Sequence, residues 1–397
     1  MSSIKNILFL FVFLSENLFS QTWQQLADFP ATERDDGTAF VIGNKAWCGT
    51  GFKTGWIVTN DMYVLDMNTD TWSTATAMQP GTERQYACAF SNNSVGYIFG
   101  GQDQNGTALN DLWAFDTIIG NWQQKTSLPD TGLAGACCFK INGIAYIIGG
   151  SNSGNNASNR VWSYNIGSDT WLQKSNMSFG GRWRASATEL NGKGYLIFGK
   201  DQNGRFCKEL YEYDPINDTW TQISSFPLIG RSYSAFNTVA GELFVIAGID
   251  TNNLCYNDLW KFDTGTLQWQ QQTVMPTFTR KGGICFNSTN AIYYTTGIDQ
   301  QNNRLKETWK VSNPTKIDEP EKDPSVKIFP NPADCYFETK TNVACRIELY
   351  NLFGEKILDK NISEKEKIYV ETLNDGVYLL CKTVKSQKHI LKLIVQH

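Results

Sequence analysis

Arginines that recur about every 49 residues are the side chains with the clearest chemical potential in this sequence. They occupy five of six matching positions: Arg34, Arg84, Arg182, Arg231 and Arg280. Leu133 stands at the remaining position. A planar guanidinium donates two parallel hydrogen bonds to a carboxylate or a sulfate, so arginines that meet at one place favour an acidic ligand.

Aromatic residues lie beside three of these arginines in the sequence. Tyr86, Trp183 and Tyr233 each stand one or two positions after a repeat arginine. Aromatic rings offer large flat faces for sugar rings or for peptide side chains. The five arginines and the three aromatic residues therefore predict a binding site for an acidic glycan or an acidic peptide.

Acidic residues with the same period support an alternative, structural role for the arginines. They follow a glycine-containing stretch in four repeats: Asp103, Asp201, Asp250 and Asp299. Residues that recur in every repeat are expected to do the same structural task in every repeat, which here would be an ion pair. The two interpretations are compatible, because Leu133 interrupts the arginine series and an unpaired subset could bind a ligand.

Few residues in this region are suited to catalysis. The two histidines, His389 and His397, both lie near the C-terminus, which excludes a Ser-His-Asp triad or a histidine-ligated metal among the repeats. Glu33 and Glu83 directly precede repeat arginines and are the candidate general acids or bases. The ten cysteines form no C-x-x-C pair, and we predict neither a metal nor a cofactor.

A repeated segment shows which elements position these residues. Its five full copies are "DMYVLDMNTDTW" from Asp61, "DLWAFDTIIGNW" from Asp111, "RVWSYNIGSDTW" from Arg160, "ELYEYDPINDTW" from Glu209 and "DLWKFDTGTLQW" from Asp258. Each copy follows an alternating apolar stretch that ends in glycine, and a further strand pattern precedes that stretch. Every unit therefore predicts four short strands.

A sixth unit is divided between the two ends of the repeat region. "ETWKVS" from Glu307 stops before its closing tryptophan, and Trp23 lies one unit before Trp72. We predict that residues 22–26 pair beside residues 308–311 and close a ring. The closing tryptophans are expected to pack between neighbouring sheets: Trp23, Trp72, Trp122, Trp171, Trp220 and Trp269.

The repeats resemble those of the kelch family of β-propellers. That family has a paired glycine, an aromatic residue ahead of an aspartate, and a tryptophan seven positions after the aromatic. The pair is intact at Gly100-Gly101 and Gly149-Gly150. Elsewhere it is reduced to Thr50-Gly51, Gly199-Lys200, Gly248-Ile249 and Gly297-Ile298. The resemblance implies an all-β fold with a six-bladed propeller over residues 21–312.

The kelch resemblance also bears on function. In kelch domains that bind acidic peptides, arginines at this motif position line the pocket, so the five arginines are expected to ring one mouth of the central channel. Kelch-type copper oxidases use two histidines as copper ligands, which residues 21–312 lack, so a copper oxidase is not predicted. A metal-independent sugar epimerase or mutarotase is one alternative, because exported kelch propellers include sialic-acid mutarotases, and a structural scaffold for protein interactions is another.

The N-terminus is typical of an exported protein. "MSSIKNILFLFVFLSENLFSQ" has an early lysine, an apolar core and a small residue at position 20, which predicts a signal peptide over residues 1–20. The apolar core is too short to span a bilayer, so no transmembrane segment is expected in the mature protein. A formal net charge of −4 without a basic run does not favour a nucleic-acid partner.

The C-terminal region has a different composition. A linker rich in proline and charge is predicted over residues 313–325, followed by a small Ig-like β-sandwich over residues 326–397. This module resembles the type A sorting domain of type IX secretion. Its matching elements are Phe329-Pro330-Asn331-Pro332-Ala333, "NLFGEKI" around Gly354, Leu373 with Gly376 and Tyr378, and Lys392-Leu393-Ile394-Val395. The resemblance implies handling by the type IX translocon and a sorting protease, and a location outside a Gram-negative cell or on its surface.

Overall fold

The computed structural model divides the chain into two compact units, Met1–Pro314 and Thr315–His397. It describes residues 23–152, 156–312, 328–339, 345–351, 355–362, 366–384 and 387–397. Within these ranges every regular element is a β-strand. The predicted signal peptide and the predicted linker lie outside the described residues.

The first unit is a propeller of six four-stranded antiparallel blades, as the repeats predict. Blade 1 comprises Thr38–Ile42, Lys45–Gly49, Met62–Asp66 and Thr71–Ala75, and blade 2 comprises Cys88–Asn92, Val95–Phe99, Leu112–Asp116 and Asn121–Lys125. Blade 3 comprises Ala134–Ile141, Ile144–Ser151, Val161–Asn165 and Thr170–Gln173. Blade 4 comprises Ser186–Leu190, Lys193–Ile197, Glu209–Asp214 and Thr219–Ser225, and blade 5 comprises Ala235–Val239, Glu242–Asp250, Cys255–Asp263 and Gln268–Gln271.

Blade 6 joins the two ends of the repeat region. Its inner three strands are Ile284–Asn287, Ala291–Thr295 and Thr308–Ser312, and its outer strand is Trp23–Leu26. Trp23 pairs with Val311 and Leu26 pairs with Thr308. The prediction of a split sixth blade is therefore confirmed, and the ring is closed by backbone hydrogen bonds.

Short strands connect the blades near one mouth of the channel. They are Arg34–Asp35, Phe52–Lys53, Ile57–Val58, Arg231–Ser232, Arg280–Lys281 and Ile298–Asp299. Arg34–Asp35 pairs with Phe52–Lys53, which in turn pairs with Ile57–Val58. Three of these strands place the repeat arginines Arg34, Arg231 and Arg280 just before the innermost strands.

The closing tryptophans pack against the preceding blade, as predicted. The indole N–H of Trp122 donates to the carbonyl of Thr76 at 3.0 Å, and that of Trp171 donates to Thr126 at 2.8 Å. Trp171 also packs on Phe99 of blade 2, with the ring centres 5.4 Å apart. Trp122 and Trp171 thus bridge two blades, through hydrogen bonds and, for Trp171, through an aromatic contact.

In three repeats the two positions of the glycine motif lie one residue earlier than expected from the sequence: Gly199, Gly248 and Gly297 are the second members of their pairs and not the first. Its second member is glycine in every blade: Gly51, Gly101, Gly150, Gly199, Gly248 and Gly297. Its first member has positive φ even where it is Thr50, Phe198, Ala247 or Thr296. The second position excludes a side chain, since a Cβ on Gly101 would lie 2.5 Å from the carbonyl oxygen of Gln85.

The second unit is a two-sheet sandwich. One sheet contains Ile328–Phe329, Tyr336–Thr339 and Glu366–Tyr369, and the other contains Lys356–Ile362, Cys345–Tyr350, Gly376–Val384 and Gln387–Val395. Phe337 from the first sheet and Ile347 and Leu380 from the second lie in one buried core. The Asn331 side chain accepts a hydrogen bond from the Ile394 amide at 2.8 Å, which joins two of the predicted sorting-motif segments.

Candidate functional site at the propeller mouth

The five repeat arginines are buried, with exposed fractions of 0 to 2 %. Each pairs with the acidic residue that opens the repeated segment, 27 positions later. The pairs are Arg34–Asp61, Arg84–Asp111, Arg182–Glu209, Arg231–Asp258 and Arg280–Glu307. These side chains do not ring the mouth, which corrects that expectation: they are held inside the blades by carboxylates.

The geometry of the pairs is mostly bidentate. Arg84 donates from Nη1 and Nη2 to the two carboxylate oxygens of Asp111, at 2.8 Å each. Burial raises the pKa of Asp61, but the hydrogen bond and the charge of Arg34 outweigh it and hold that pKa below its usual value. The Arg182–Glu209 pair is looser, with 3.8 Å between Nη2 and Oε2.

The acids expected to pair with the arginines have another role. Asp103 accepts the backbone N–H groups of Asn105 and Thr107 through one carboxylate oxygen, at 2.9 and 2.8 Å. The same two-residue and four-residue pattern occurs in three further loops, at Asp201, Asp250 and Asp299. These carboxylates stabilise their own turns, as short polar side chains commonly do. The structural interpretation was right about ion pairing and wrong about the partners.

Blade 3 lacks the arginine–acid pair, because a leucine stands at the arginine position and an arginine stands at the acid position. Leu133, at the arginine position, is buried, and Arg160 stands where the other blades have an acid. The carbonyl of Arg160 accepts the Gly149 amide at 3.0 Å, just as that of Asp111 accepts the Gly100 amide. Arg160 forms an ion pair with Asp130 instead.

The mouth itself is built by the residues two positions after the repeat arginines. They are Asp36, Tyr86, Gly135, Arg184, Tyr233 and Gly282, and each has a φ between 53° and 64°. The amide of each donates to the carbonyl of the equivalent residue in the preceding blade, over 2.7 to 3.4 Å. We call these six residues the mouth ring, because their hydrogen bonds form a closed circle around the channel.

The mouth ring surrounds a cavity of about 150 Å³, which adjoins a central channel of about 500 Å³ lined by the innermost strands. Arg184 lies in this cavity with its Cζ atom 3.5 Å from the ring centre of Tyr86 and 3.8 Å from that of Tyr233. Trp183 contributes a third aromatic face at 4.2 Å. The predicted aromatic residues are thus brought together, and they enclose Arg184, an arginine that is not part of the repeat series.

Arg184 has unused hydrogen-bonding capacity. Its side chain is 8 % exposed, yet Nε and Nη1 have no hydrogen-bond partner among the described residues. Cation–π contacts stabilise a desolvated guanidinium by roughly 2 kcal/mol but leave its N–H groups unsatisfied. Since buried donors normally find an acceptor, these atoms are suited to an anionic group that enters the mouth.

Two lysines add positive charge on the same side of the mouth. Burial and the charges of Arg184 and Lys281 lower the pKa of Lys200, so these three cations lie close enough to repel one another. The ammonium of Lys200 lies 5.8 Å from the ring centre of Trp183, and that of Lys281 lies 5.4 Å from that of Tyr233. A divalent or delocalised anion would relieve this repulsion.

Acidic residues also lie at the cavity, which Asp36 helps to line. Burial, followed by the negative charge of Asp35, raises the pKa of Asp36 well above its usual value, although Arg184 opposes the shift. Asp35 is itself paired with Arg304 at 2.7 Å. Burial and the nearby Asp36 also raise the pKa of Tyr86. The pKa of Asp36 is thus shifted in the direction that favours its uncharged form.

The two glutamates considered as general acids lie elsewhere. Glu33 is half-buried and lies 3.5 Å from the ammonium of Lys306, while Glu83 accepts the amide of Gly81 at 3.4 Å. Neither is among the residues that line the mouth cavity. Sequence reasoning missed the residues that do contribute charge there, Asp36, Arg184, Lys200 and Lys281, although a register two positions after the repeat arginines would have found the first two.

The chain resembles known proteins in both of its units. The profile of the KLHDC2/KLHL20/DRC7 Kelch-repeats domain matches residues 8–128, 37–228 and 132–297. The chain belongs to the kelch-repeat family of β-propellers. The profile of the secretion system C-terminal sorting domain matches residues 327–396. The protein is thus an exported kelch propeller with a type IX sorting tail, secreted or held at the surface of a Gram-negative bacterium.

Individual relatives are distant. An N-(sulfonatooxy)prop-2-enimidothioate sulfolyase from Thlaspi arvense is 32 % identical over 112 residues, which is 28 % of this chain. That match spans only about a third of the plant protein's own length. The solved structure of YjhT has a TM-score of 0.62 at 16 % identity and covers 71 % of this chain and 95 % of its own. At this identity the similarity to YjhT shows the fold alone.

No helix long and apolar enough to cross a membrane occurs in the part of the chain that the structure describes. The described residues also contain no group of three or more histidine, cysteine, aspartate or glutamate side chains placed to hold a metal ion.

Proposed function

We propose that the propeller is an extracellular binding module that holds a carboxylate or sulfate of an acidic glycan or acidic peptide in its mouth. The observation that carries the proposal is Arg184, buried between three aromatic rings with Nε and Nη1 unpartnered among the described residues. A guanidinium recognises a planar or tetrahedral oxyanion through paired N–H donors. The five repeat arginines, which are buried and paired, are not part of this proposed site.

The surroundings of Arg184 favour an anion over a neutral ligand. Lys200 and Lys281 add two positive charges nearby, and the raised pKa of Asp36 favours its uncharged form, which opposes an anion less than a carboxylate would. The partly matching plant protein has a name that places a sulfonatooxy group on its substrate, which is the same class of anion. Electrostatic complementarity of this kind also accelerates the capture of charged ligands.

The test measures binding by the full propeller to a panel of acidic saccharides and acidic peptides, using isothermal titration calorimetry. Arg184→Gln removes the charge while keeping a similar length, and should raise the Kd of the best ligand at least tenfold, or about 1.4 kcal/mol. Lys45→Gln is the matched control, because Lys45 is an exposed lysine in the hairpin of blade 1. Equal affinity for wild type and Arg184→Gln would reject the site.

A second candidate is a metal-independent sugar epimerase or mutarotase. The supporting observation is that Asp36 lines the mouth cavity and has a raised pKa, the direction that favours the protonated form of a general acid. Glu33 and Glu83, which the sequence suggested as general acids or bases, do not line the mouth cavity. Proton NMR of anomer exchange in an acidic sugar tests this candidate. Wild type should accelerate the exchange over the uncatalysed rate, and Asp36→Asn should not.

A structural scaffold is the third candidate, supported by the ion-paired state of all five repeat arginines.

We further propose the processing steps of export. Residues 1–20 would be removed as a signal peptide, the sorting protease would cut within residues 313–325, and the mature propeller would contain no transmembrane segment. Mass spectrometry of the secreted protein would identify both cuts.

A further inference from the structure

A tryptophan beside the mouth is exposed in a way that the fold does not require. Trp56 is 71 % exposed and lies on the hairpin formed by Phe52–Lys53 and Ile57–Val58. Its φ is 63°, a left-handed conformation that is rare for a bulky side chain. Exposure of a large indole gains no burial, and this backbone conformation is unfavourable, so neither feature stabilises the propeller.

The hairpin that carries Trp56 is nevertheless held from both sides. The side chain of Gln104, from blade 2, donates to the carbonyl of Trp56 at 3.0 Å and accepts the amide of Val58 at 2.9 Å. On the other side, Arg304 donates to the carbonyl of Phe52 at 2.9 Å. The exposed indole is therefore presented on a fixed backbone.

The hairpin is connected directly to the mouth. Phe52 pairs with Asp35 in the short sheet, and the Arg304 guanidinium that contacts Asp35 at 2.7 Å also lies 4.7 Å from the ring centre of Phe52 and 5.3 Å from that of Trp56. Asp35 adjoins Asp36, which lines the cavity of Arg184. The exposed indole is thus linked through Arg304 and Asp35 to Asp36, a residue that lines the cavity of Arg184.

We propose that Trp56 is a stacking platform for a second sugar ring, so that the ligand is an acidic saccharide of at least two rings. This inference rests on the proposed function, since the charged group of the saccharide would lie at Arg184. The C–H face of a sugar ring packs on a flat, exposed indole, and an indole on a fixed backbone binds it without the cost of ordering a loop.

The test compares a monomeric uronic acid with a disaccharide that contains it, for wild type and three variants of the full chain. Trp56→Asn removes the ring and suits a left-handed backbone, Trp56→Tyr keeps an aromatic face, and Arg184→Gln removes the anion contact. Trp56→Asn should raise the Kd of the disaccharide at least tenfold and leave that of the monosaccharide within twofold. Trp56→Tyr should keep disaccharide affinity within about threefold.

The outcomes separate this inference from the proposed function. If Arg184→Gln abolishes disaccharide binding while Trp56→Asn has no effect, the anion site stands and the platform is overturned. If Trp56→Asn weakens monosaccharide and disaccharide equally, there is no second-ring contact. Absence of binding by wild type to saccharides and peptides alike would reject the proposed function, and binding of acidic peptides alone would reject the saccharide. Unchanged melting temperatures show that all variants are folded.

Discussion

Arg231 and Asp258 lie 27 residues apart in the chain and are joined by two hydrogen bonds of 2.6 and 2.7 Å in the interior of blade 5. The Arg231 side chain is fully buried, and its Cζ atom lies 3.8 Å from the ring centre of Tyr256. The pair connects the entry to an innermost strand with the third strand of the same blade. Because four other blades have an equivalent pair, it is a repeated structural clamp.

Removal of one member of this clamp should destabilise the propeller strongly. We expect Arg231→Ala to lower the free energy of unfolding by about 3 to 5 kcal/mol, because Asp258 would be left as a buried, uncompensated charge. Denaturant titration measures the loss. The double variant Arg231→Met/Asp258→Leu should recover most of it, and a single variant as stable as wild type would show that the clamp has no structural role.

The residues at the clamp positions of blade 3, Leu133 and Arg160, predict that two substitutions there will have nonadditive effects on stability. Leu133→Arg should place a buried guanidinium close to Arg160 and cost several kcal/mol. Adding Arg160→Asp should rebuild the clamp found in the other blades and recover at least half of that loss. Arg160→Asp alone breaks only the partly exposed contact with Asp130 and should cost about 1 kcal/mol or less. A double-mutant cycle by thermal denaturation measures the coupling, and additive effects would contradict it.

Anion binding should weaken as pH rises, because of Asp36. Burial, the charge of Asp35 and a hydrogen bond with Asp35 raise its pKa, while Arg184 and Tyr86 oppose the shift. Ionisation of Asp36 as the pH rises would add a negative charge to the cavity that contains Arg184. The lowered pKa of Lys200 acts in the same direction, since that lysine loses its charge earlier than usual. Affinity measured from pH 5 to pH 9 should fall more steeply for wild type than for Asp36→Asn.

The stability of the fold should show the same dependence on Asp36. A carboxyl whose folded pKa is raised contributes stability that is complete below its unfolded pKa, about 3.9, and is lost as pH rises through the folded pKa. Asp36→Asn should therefore gain stability relative to wild type as the solution becomes more alkaline. Parallel melting curves across pH for the two proteins would refute the assignment.

Deletion of residues 326–397 should separate export from folding. All six blades use strands between Trp23–Leu26 and Thr308–Ser312, so the truncated protein should keep the melting temperature of the propeller transition. Because the sorting domain matches residues 327–396, the truncated protein should remain in the periplasm. Cell fractionation decides between the outcomes: appearance of the truncated protein outside the cell would contradict the sorting role, and a large fall in melting temperature would make the tail part of the fold.

The blades could be predicted because every copy has the same strand pattern, and the position of Trp23 relative to Trp72 was sufficient to predict the split blade. The clamp partners could not be predicted, since Asp258 and Asp250 belong to two acidic series with the same period. Only the three-dimensional path of the strand shows that Asp258 meets the arginine. The charges at the mouth were missed for the opposite reason: Asp36 and Arg184 share a backbone conformation and a position, but no residue type.

The mouth ring separates what must stay constant from what can vary. Its six amides and carbonyls form the circle through the main chain, so any side chain compatible with positive φ leaves the hydrogen bonds intact. Substitutions in the mouth ring can therefore change ligand preference without repacking a sheet, although neighbouring choices are coupled, since the Arg184 side chain packs on those of Tyr86 and Tyr233. Glycine meets the conformational demand most easily, as at Gly135 and Gly282. Tyr86, Arg184 and Tyr233 adopt a positive φ at a conformational cost. We therefore expect these three side chains to have been selected for binding a particular ligand.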